Sequence, residues 1–552
     1  MERAADLRRN ETAARAERND RNDKDRMDGH VRVSTRIPSG ISPQEGVFEM
    51  RRGLIVFLLA ALLFVFYYFG VDLFGTTAAA VMSIFSTLTV VSIAFVIFMD
   101  NRNPSSTLSW ILVLGLLPVV GLIFYFLFGQ NYFRRRKYDK KAQWDRRIYE
   151  WSEKDTLAGI ENTAHFSDEQ QRILRLSRRL SLTPVSYSSP TAVLTNGGST
   201  FSALLDAMRG ARHHIHMEYY IYRADEIGTQ IQKLLIQKAR EGVEVRFMVD
   251  AVGSIQLPRK FLDEMRAAGV KVALFGATKF LLATSRVNYR NHRKIVVIDK
   301  SIGFIGGLNV GDEYLSRSKT YGFWRDTHMR IEGDAVSTLQ RIFLRDWRHM
   351  TNEQPTGPGY FQSKSKPDPE LGAVQIIASG PDNDRRTLKH IFFTMITTAK
   401  RSVWIATPYF IPDEDILTAL RTAALSGLDV RLLFPAKPDK KLPFWASHSY
   451  FPILLDAGVK IYEYEKGFLH SKLLIVDGET ASIGTANMDM RSFHLNFEVN
   501  ALLMNNASVA RITADFERDL LNTTMIDPAV FGSKRIALRF MESAARLLSP
   551  LL

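Results

Sequence analysis

The sequence predicts an α/β fold of two homologous halves, preceded by N-terminal transmembrane helices. Three observations carry this prediction. Apolar runs near the N-terminus reach membrane-spanning length, the later chain alternates β-branched runs with amphipathic stretches, and one order of elements occurs twice. At 552 residues the chain is also too long for one core and calls for two or more domains.

Residues 1–52 are rich in Arg, Asp, Glu and Asn, with few large apolar side chains, the composition of a disordered tail. Residues 53–130 form a membrane region with three apolar runs, one from Leu54, one from Ala78 to Met99 and one from Leu108 to Gly129. Each reaches or approaches the roughly 20 residues that a helix needs to cross a bilayer. The long polar stretch before the first run does not suit a cleaved signal peptide. Two to three hydrophobic helices are therefore expected.

Residues 131–189 read as a basic juxtamembrane linker. The stretch "RRRKYDKKAQWDRR" from Arg134 belongs in the cytoplasm by the positive-inside rule. Arg51 and Arg52, beside the first run, ask for the same side, and three full spans cannot satisfy both. Asp72 and Pro118 suggest that one run is re-entrant or interfacial. The expectation is a multi-pass protein of the plasma membrane with its soluble part on the cytoplasmic face.

The soluble part divides into residues 190–365 and 366–552. In the first half, a strand at 213–221, a helix at 228–242 and a strand at 243–250 precede a helix at 259–269 and a strand at 270–275. In the second, a strand at 400–411, a helix at 415–427 and a strand at 428–434 precede 451–458 and a strand at 459–464. "GVEVRF" from Gly242 matches "GLDVRL" from Gly427, and "AGVKV" from Ala268 matches "AGVKI" from Ala457. A repeat of this length is a duplicated domain rather than a solenoid unit.

The net charge of +14 favours an anionic partner, either nucleic acid or an acidic lipid surface. With no cysteine, disulfides, thiolate metal sites and thiol catalysis are excluded. Candidate chemistry lies in "NHRKIVVIDKSIGFIGGLN" from Asn291 and its counterpart "LHSKLLIVDGETASIGTAN" from Leu469. His292, Lys294 and Asp299 recur with the same spacing as His470, Lys472 and Asp477, and Asn309 corresponds to Asn487. At average Lys and Asp frequencies one such match is expected by chance about 0.03 times. Two at equivalent places in a repeat are far rarer.

On a strand, His292 and Lys294 are two apart and project from one face, as do His470 and Lys472. "IVVI" and "LLIV" are continuous apolar runs, as in central strands covered on both faces. Asp299 and Asp477 fall at the strand ends, where they are expected to support the site by accepting hydrogen bonds from the following turn. Two lysines and two asparagine amides suit a phosphoryl group. One histidine can attack phosphorus while the other protonates the leaving alkoxide, and the roles then reverse. The lysines supply the positive charge, so neither a metal nor another cofactor is required.

The paired motifs resemble the HKD signature of the phospholipase D superfamily. The flanks "NRNPSSTLSWILVLGLLPVVGLIFYFLFG", "WRDTH", "RSFHLNFE" and the terminal "RLLSPLL" are similar to those of bacterial cardiolipin synthases. The resemblance runs from about residue 90 to the C-terminus and implies two phospholipase D-like α-β-α domains in a pseudo-twofold unit. It implies transfer of a phosphatidyl group between two phosphatidylglycerols, giving cardiolipin and glycerol, with His292 as nucleophile and His470 as acid/base. Symmetry alone leaves that order open. Asp326 and Glu498 match acidic positions downstream of the motifs, where they either orient a histidine or serve as ion-pair partners. The polar tail and first apolar run exceed the two-segment membrane region of the family pattern.

The expected partners are phosphatidylglycerol and anionic membrane lipid, not nucleic acid, because a lipid substrate needs a site held at the bilayer. A phospholipase D, another phosphatidyltransferase, an HKD-type nuclease and a noncatalytic scaffold are the competing readings. His214 and His216 share a strand face while His213 points away, and no suitably spaced carboxylate completes a metal set. Glu218, on the same face, either positions a reacting group or is buried and paired. The C-terminal stretch 535–552 reads as an amphipathic helix packed on the domain, with membrane-surface contact as the alternative.

Overall fold

The computed structural model describes residues 166–551, apart from 278–287, 356–357, 362–364 and 384, together with Pro104–Leu116 and scattered positions between 77 and 141. The polar tail, the first apolar run, most of the other two, and the basic linker up to residue 165 apart from Lys141 lie outside the described residues. The rest of residues 131–189 is not a linker: it carries the helix Asp168–Ser181, whose Ile173 and Leu174 are buried in a core with Leu388 and Ile391 of the second half. Among the described residues, no helix is long and apolar enough to cross a membrane.

Eight strands belong to the first half: β1 (Thr191–Thr195), β2 (His214–Tyr219), β3 (Glu244–Asp250), β4 (Lys271–Phe275), β5 (Ile295–Ile298), β6 (Ile302–Gly306), β7 (Phe323–Arg325) and β8 (Thr327–Glu332). The second half opens with β9 (Ala373–Ser379), β10 (Ser402–Ala406), β11 (Phe410–Ile411), β12 (Asp429–Pro435) and β13 (Lys460–Tyr464). It continues with β14 (Gly467–Leu469), β15 (Leu473–Val476), β16 (Thr480–Gly484), β17 (Met488–Asp489), β18 (Glu498–Met504) and β19 (Thr523–Met525).

The first sheet runs β1-β8-β6-β5-β2-β3-β4 and the second β9-β18-β16-β15-β10-β12-β13, with β19 added at its edge. Strand for strand, the order is the same. So is the mixture of senses: β2, β3 and β4 are parallel, as are β10, β12 and β13, and the remaining pairs are antiparallel. The expected strand at 400–411 is divided into β10 and β11. Pro408 lies in the break and has no N–H to donate to a ladder.

The apolar runs behave as their lack of alternation requires. In β5, Val296 and Ile298 face a core built with the helices Asn196–Arg209, Glu226–Arg240 and Arg259–Ala267. Ile295 and Val297 face a second core, which they share with Leu473 and Ile475 of β15. The helices Ala335–Thr351 and Ala507–Leu520 fill the rest of this shared core through Leu339, Ile342, Ile512 and Phe516. The two sheets therefore meet through one apolar layer, and the entrances of β5 and β15 are positioned by the same packing.

At the far ends of these strands stand Asp299 and Asp477, both with left-handed backbone, at φ of 51° and 56°. The Asp299 carboxylate accepts backbone N–H bonds from Arg212, His213 and His214 at 2.7, 2.8 and 2.9 Å. Asp477 accepts from Lys400, Arg401 and Ser402 at 2.9, 2.7 and 2.8 Å. The donors thus belong to the entrance of the neighbouring strand, not to the following turn as expected. The neighbouring strand begins beside each aspartate and leaves three amides unpaired there, which the carboxylate satisfies. Asp299→Ala is expected to lower stability by about 2–3 kcal/mol, and Asp477→Ala similarly, by leaving those amides without acceptors. Denaturant midpoints of the variants against wild type measure this loss.

Candidate active site

Each histidine is presented by a short extended segment that pairs with the opposite half. Asn291 bridges Phe497 in parallel fashion, and the His292 N–H donates to the Phe497 carbonyl at 2.9 Å. Reciprocally, β14 runs parallel to β7, and the His470 N–H donates to the Arg325 carbonyl at 2.7 Å. The residue after each of these carbonyls is acidic, Glu498 in one case and Asp326 in the other.

This pairing places each imidazole against the carboxylate of the other half. His292 Nδ1 lies 3.1 and 3.0 Å from the two Glu498 carboxylate oxygens. His470 Nδ1 lies 2.7 Å from Asp326 Oδ2. A neutral imidazole that gives its Nδ1–H to a carboxylate keeps the Nε2 lone pair for chemistry. Of the two roles open to these acids in the sequence, the geometry is that of orienting a histidine, and each acts across the halves.

Burial pushes both imidazoles down, to about 4 for His292 and about 3 for His470, with the nearby lysines adding to the effect. Burial opposes the Glu498 charge, but His292, Lys294 and Thr485 outweigh it and hold the carboxyl below its ordinary range. Asp326 is likewise held low by His470 and Lys472 despite its burial. Both rings are thus neutral and both acids ionised near pH 7.

The lysines complete the pair. Lys294 Nζ donates to the His292 carbonyl at 2.8 Å and Lys472 Nζ to the His470 carbonyl at 2.5 Å. Burial drives Lys294 well down and Lys472 down to about 8. Two desolvated ammonium groups so placed favour an anion that restores their lost hydration.

The asparagines are less free than their predicted phosphate contact requires. Asn309 accepts from the Ile221 N–H at 3.1 Å and donates to the Tyr314 hydroxyl at 3.2 Å. Asn487 donates to Asp489 Oδ2 at 3.1 Å. One N–H of each amide is thus committed within its own half, leaving at most the second for a substrate oxygen. Glu218 is buried, bonded to the Asn291 amide, and raised well above its ordinary range by burial and by Asp346. It braces the residue before His292 and does not touch the imidazole pair. Asp299 and Asp477 lie at the opposite strand ends, roughly 20 Å along the chain from the histidines.

Sequence reasoning missed the aromatic walls. The Tyr220 ring meets His292 edge-on at 4.9 Å and lies 5.4 Å below Lys294 Nζ. Trp324 lies 5.2 Å from His470. It also missed Thr485, whose hydroxyl donates to Glu498 at 2.6 Å, and Gly307, where a Cβ would come within 2.1 Å of Asp326. The matched "GG" at 306–307 and "GT" at 484–485 were the available signal. In the histidine cluster, His213 does not point away. Its Nδ1 lies 2.8 Å from His214 Nδ1, while His214 and His216 share Gln340 at 3.0 and 2.8 Å.

Stability carries the mark of these buried neutral rings. An imidazole depressed to about 4 in the fold regains its ordinary value near 6.5 when the chain unfolds. The unfolded chain then binds more protons, so stability falls as pH drops through that window, by ~1.4 kcal/mol per pH unit for each histidine. Denaturant unfolding at pH 7 and pH 5 should show this loss, and His470→Gln should reduce it.

Two family models match the chain. One described as "Cardiolipin synthase, PLD-like domain" covers residues 204–347 and 392–520, one match in each half. One described as "Phospholipase_D-nuclease N-terminal" covers 87–130. A cardiolipin synthase of Geobacillus kaustophilus is 53% identical over 470 residues, 85% of this chain and 93% of its own length. Cardiolipin synthase 2 of Bacillus anthracis is 53% identical over 469 residues, 84% of this chain and 90% of its own. Among solved structures, the phosphatidylserine synthase of Haemophilus influenzae matches with a TM-score of 0.52 at 12% identity. That match covers 69% of this chain and 100% of the other, and is a likeness of fold. With one family match in each half and 53% identity to these relatives over about 85% of the chain and nearly their whole length, the chain belongs to the cardiolipin synthase family of phospholipase D-like proteins.

Proposed function

We propose that this chain is a membrane-bound phosphatidyltransferase that joins two phosphatidylglycerol molecules into cardiolipin and releases glycerol. The observation that carries the reading is the pair of imidazoles, each held by the other half's carboxylate and each accompanied by a buried lysine. Family membership supports the product, since the relatives matched along most of the chain are named cardiolipin synthases.

In this reading the phosphodiester anion enters between Lys294 and Lys472. His292 Nε2 attacks phosphorus, the bond to the glycerol oxygen breaks, and His470 gives that oxygen a proton. The substrate's negative charge offsets the burial that depresses His470 and lets it hold the proton it donates. A glycerol hydroxyl of the second lipid then gives its proton to the neutral His470 and attacks the phosphohistidine, and His292 is released. Glu498 and Asp326 stabilise whichever ring carries extra positive charge. The basic segment from Arg134 to Arg147 supports a multi-pass placement in the plasma membrane with this site on the cytoplasmic side.

Reconstitution with phosphatidylglycerol and lipid analysis tests the reading. Cardiolipin and glycerol are expected in equal amounts, and phosphatidic acid without cardiolipin would show a hydrolase instead. His292→Ala should abolish acid-quenched phosphoenzyme and lower turnover on the order of 10³-fold or more. Label that persisted in His292→Ala but vanished in His470→Ala would reverse the two roles. The free site also predicts an alkaline decline in kcat/KM with an apparent pKa near 8, where Lys472 loses its proton. Lys472→Arg should displace that limb upward.

A further inference from the structure

The helix Ile536–Leu547 is amphipathic, as its sequence predicts, but its apolar stripe faces away from the protein. Glu542 and Ala545 are buried on one side. The helix packs there against the helix Lys441–His448, and Glu542 lies 2.6 Å from Lys534 and 3.7 Å from His448. At 100° per residue, Ile536, Phe540 and Leu547 fall on the opposite side. They are 85%, 71% and 82% exposed. A surface helix ordinarily turns such residues inward and its charges outward.

The charges beside this stripe have one sign. Arg535, Arg539 and Arg546 are exposed and lie together along one flank of it. Lys437, Lys440 and Lys441 are exposed where the supporting helix begins. An outward apolar stripe edged by arginines is the arrangement of a helix that lies in a lipid headgroup layer, its aliphatic and aromatic groups sunk and its cations at the phosphates.

Position ties this surface to the candidate active site. The 3-10 turn Ser549–Leu551, directly after the helix, packs on the helix Met490–His494, which begins three residues after Asn487. The Tyr450 hydroxyl and Ser549 hydroxyl lie 3.0 Å apart. The supporting helix also contacts β11, which pairs with β17 immediately after Asn487.

We infer that Ile536–Leu547 is an interfacial helix that lays its outward apolar face on an anionic bilayer and holds the second half's end of the site against the lipid surface. The inference takes from the proposed function only that the substrate is a membrane lipid. It adds a contact separate from the N-terminal apolar runs.

The chain has no cysteine, so Phe540→Cys gives a single labelling position in the full-length protein. With an environment-sensitive fluorophore there, spin-labelled lipid at shallow depth should quench emission in phosphatidylglycerol vesicles, and several-fold less in phosphatidylcholine vesicles. Arg535→Gln with Arg539→Gln should weaken that quenching. Ile536→Ser, Phe540→Ser and Leu547→Ser together should raise KM for vesicle phosphatidylglycerol roughly fivefold or more, with turnover of a dispersed short-chain analogue unchanged. Absence of quenching in phosphatidylglycerol vesicles would overturn the inference. So would energy transfer between differently labelled copies in detergent, which would assign the face to a second copy of the chain. Quenching requires no turnover, so its failure is distinct from failure of the synthase reading.

Discussion

The structure depends on one interaction made twice, the hydrogen bond from a histidine of one half to a carboxylate of the other. His292 is paired with Glu498 and His470 with Asp326, and each pair is delivered by two extended segments lying side by side. Neither half carries a complete acid–histidine pair. Separating the halves would take from each carboxylate its histidine, leaving Glu498 with Thr485 and Asn496 and Asp326 with the Thr327 N–H. These neutral donors compensate an ionised acid less well than an imidazole and lysine together. The shared apolar layer between the sheets keeps the halves together, and the site exists as a consequence.

Burial then does two things at once. It removes the charge from both imidazoles, leaving bases near neutral pH, and it depresses both lysines, leaving cations whose hydration a phosphate can replace. The carboxylates stay ionised because histidine and lysine outweigh their desolvation. The six groups are thus held in protonation states set by burial and by one another. Arg293 and Arg325 reinforce the arrangement by crossing between the halves, to the Glu498 and Ser379 carbonyls and to the Asp519 carboxylate.

What was legible in the sequence was local or repeated. His292 and Lys294, two apart before an apolar run, follow from strand periodicity, and the second copy at His470 and Lys472 separated them from chance. The two sheets follow from the duplicated order of elements. Contacts between distant segments were not legible. Glu498 is 206 residues from His292, and both of its possible roles suited the motif. Asp299 was correctly placed at a strand end, but its donors come from residues 212–214, which only the β2–β5 pairing brings there. The C-terminal helix shows the same limit, because periodicity reports that a helix has an apolar face and not which way that face turns. Tyr220 and Trp324 look like ordinary strand aromatics until the fold sets them beside the histidines.

The reciprocal pairing is most directly tested by nitrogen NMR of the two imidazoles in protein labelled at histidine. Resonances are assigned by their loss in His292→Gln and His470→Gln. If each carboxylate holds the other half's ring, Glu498→Gln shifts the Nδ1 and Nε2 signals of His292 and leaves those of His470 in place, while Asp326→Asn does the reverse. A shift of His470 on changing Glu498, with His292 unmoved, would contradict the account.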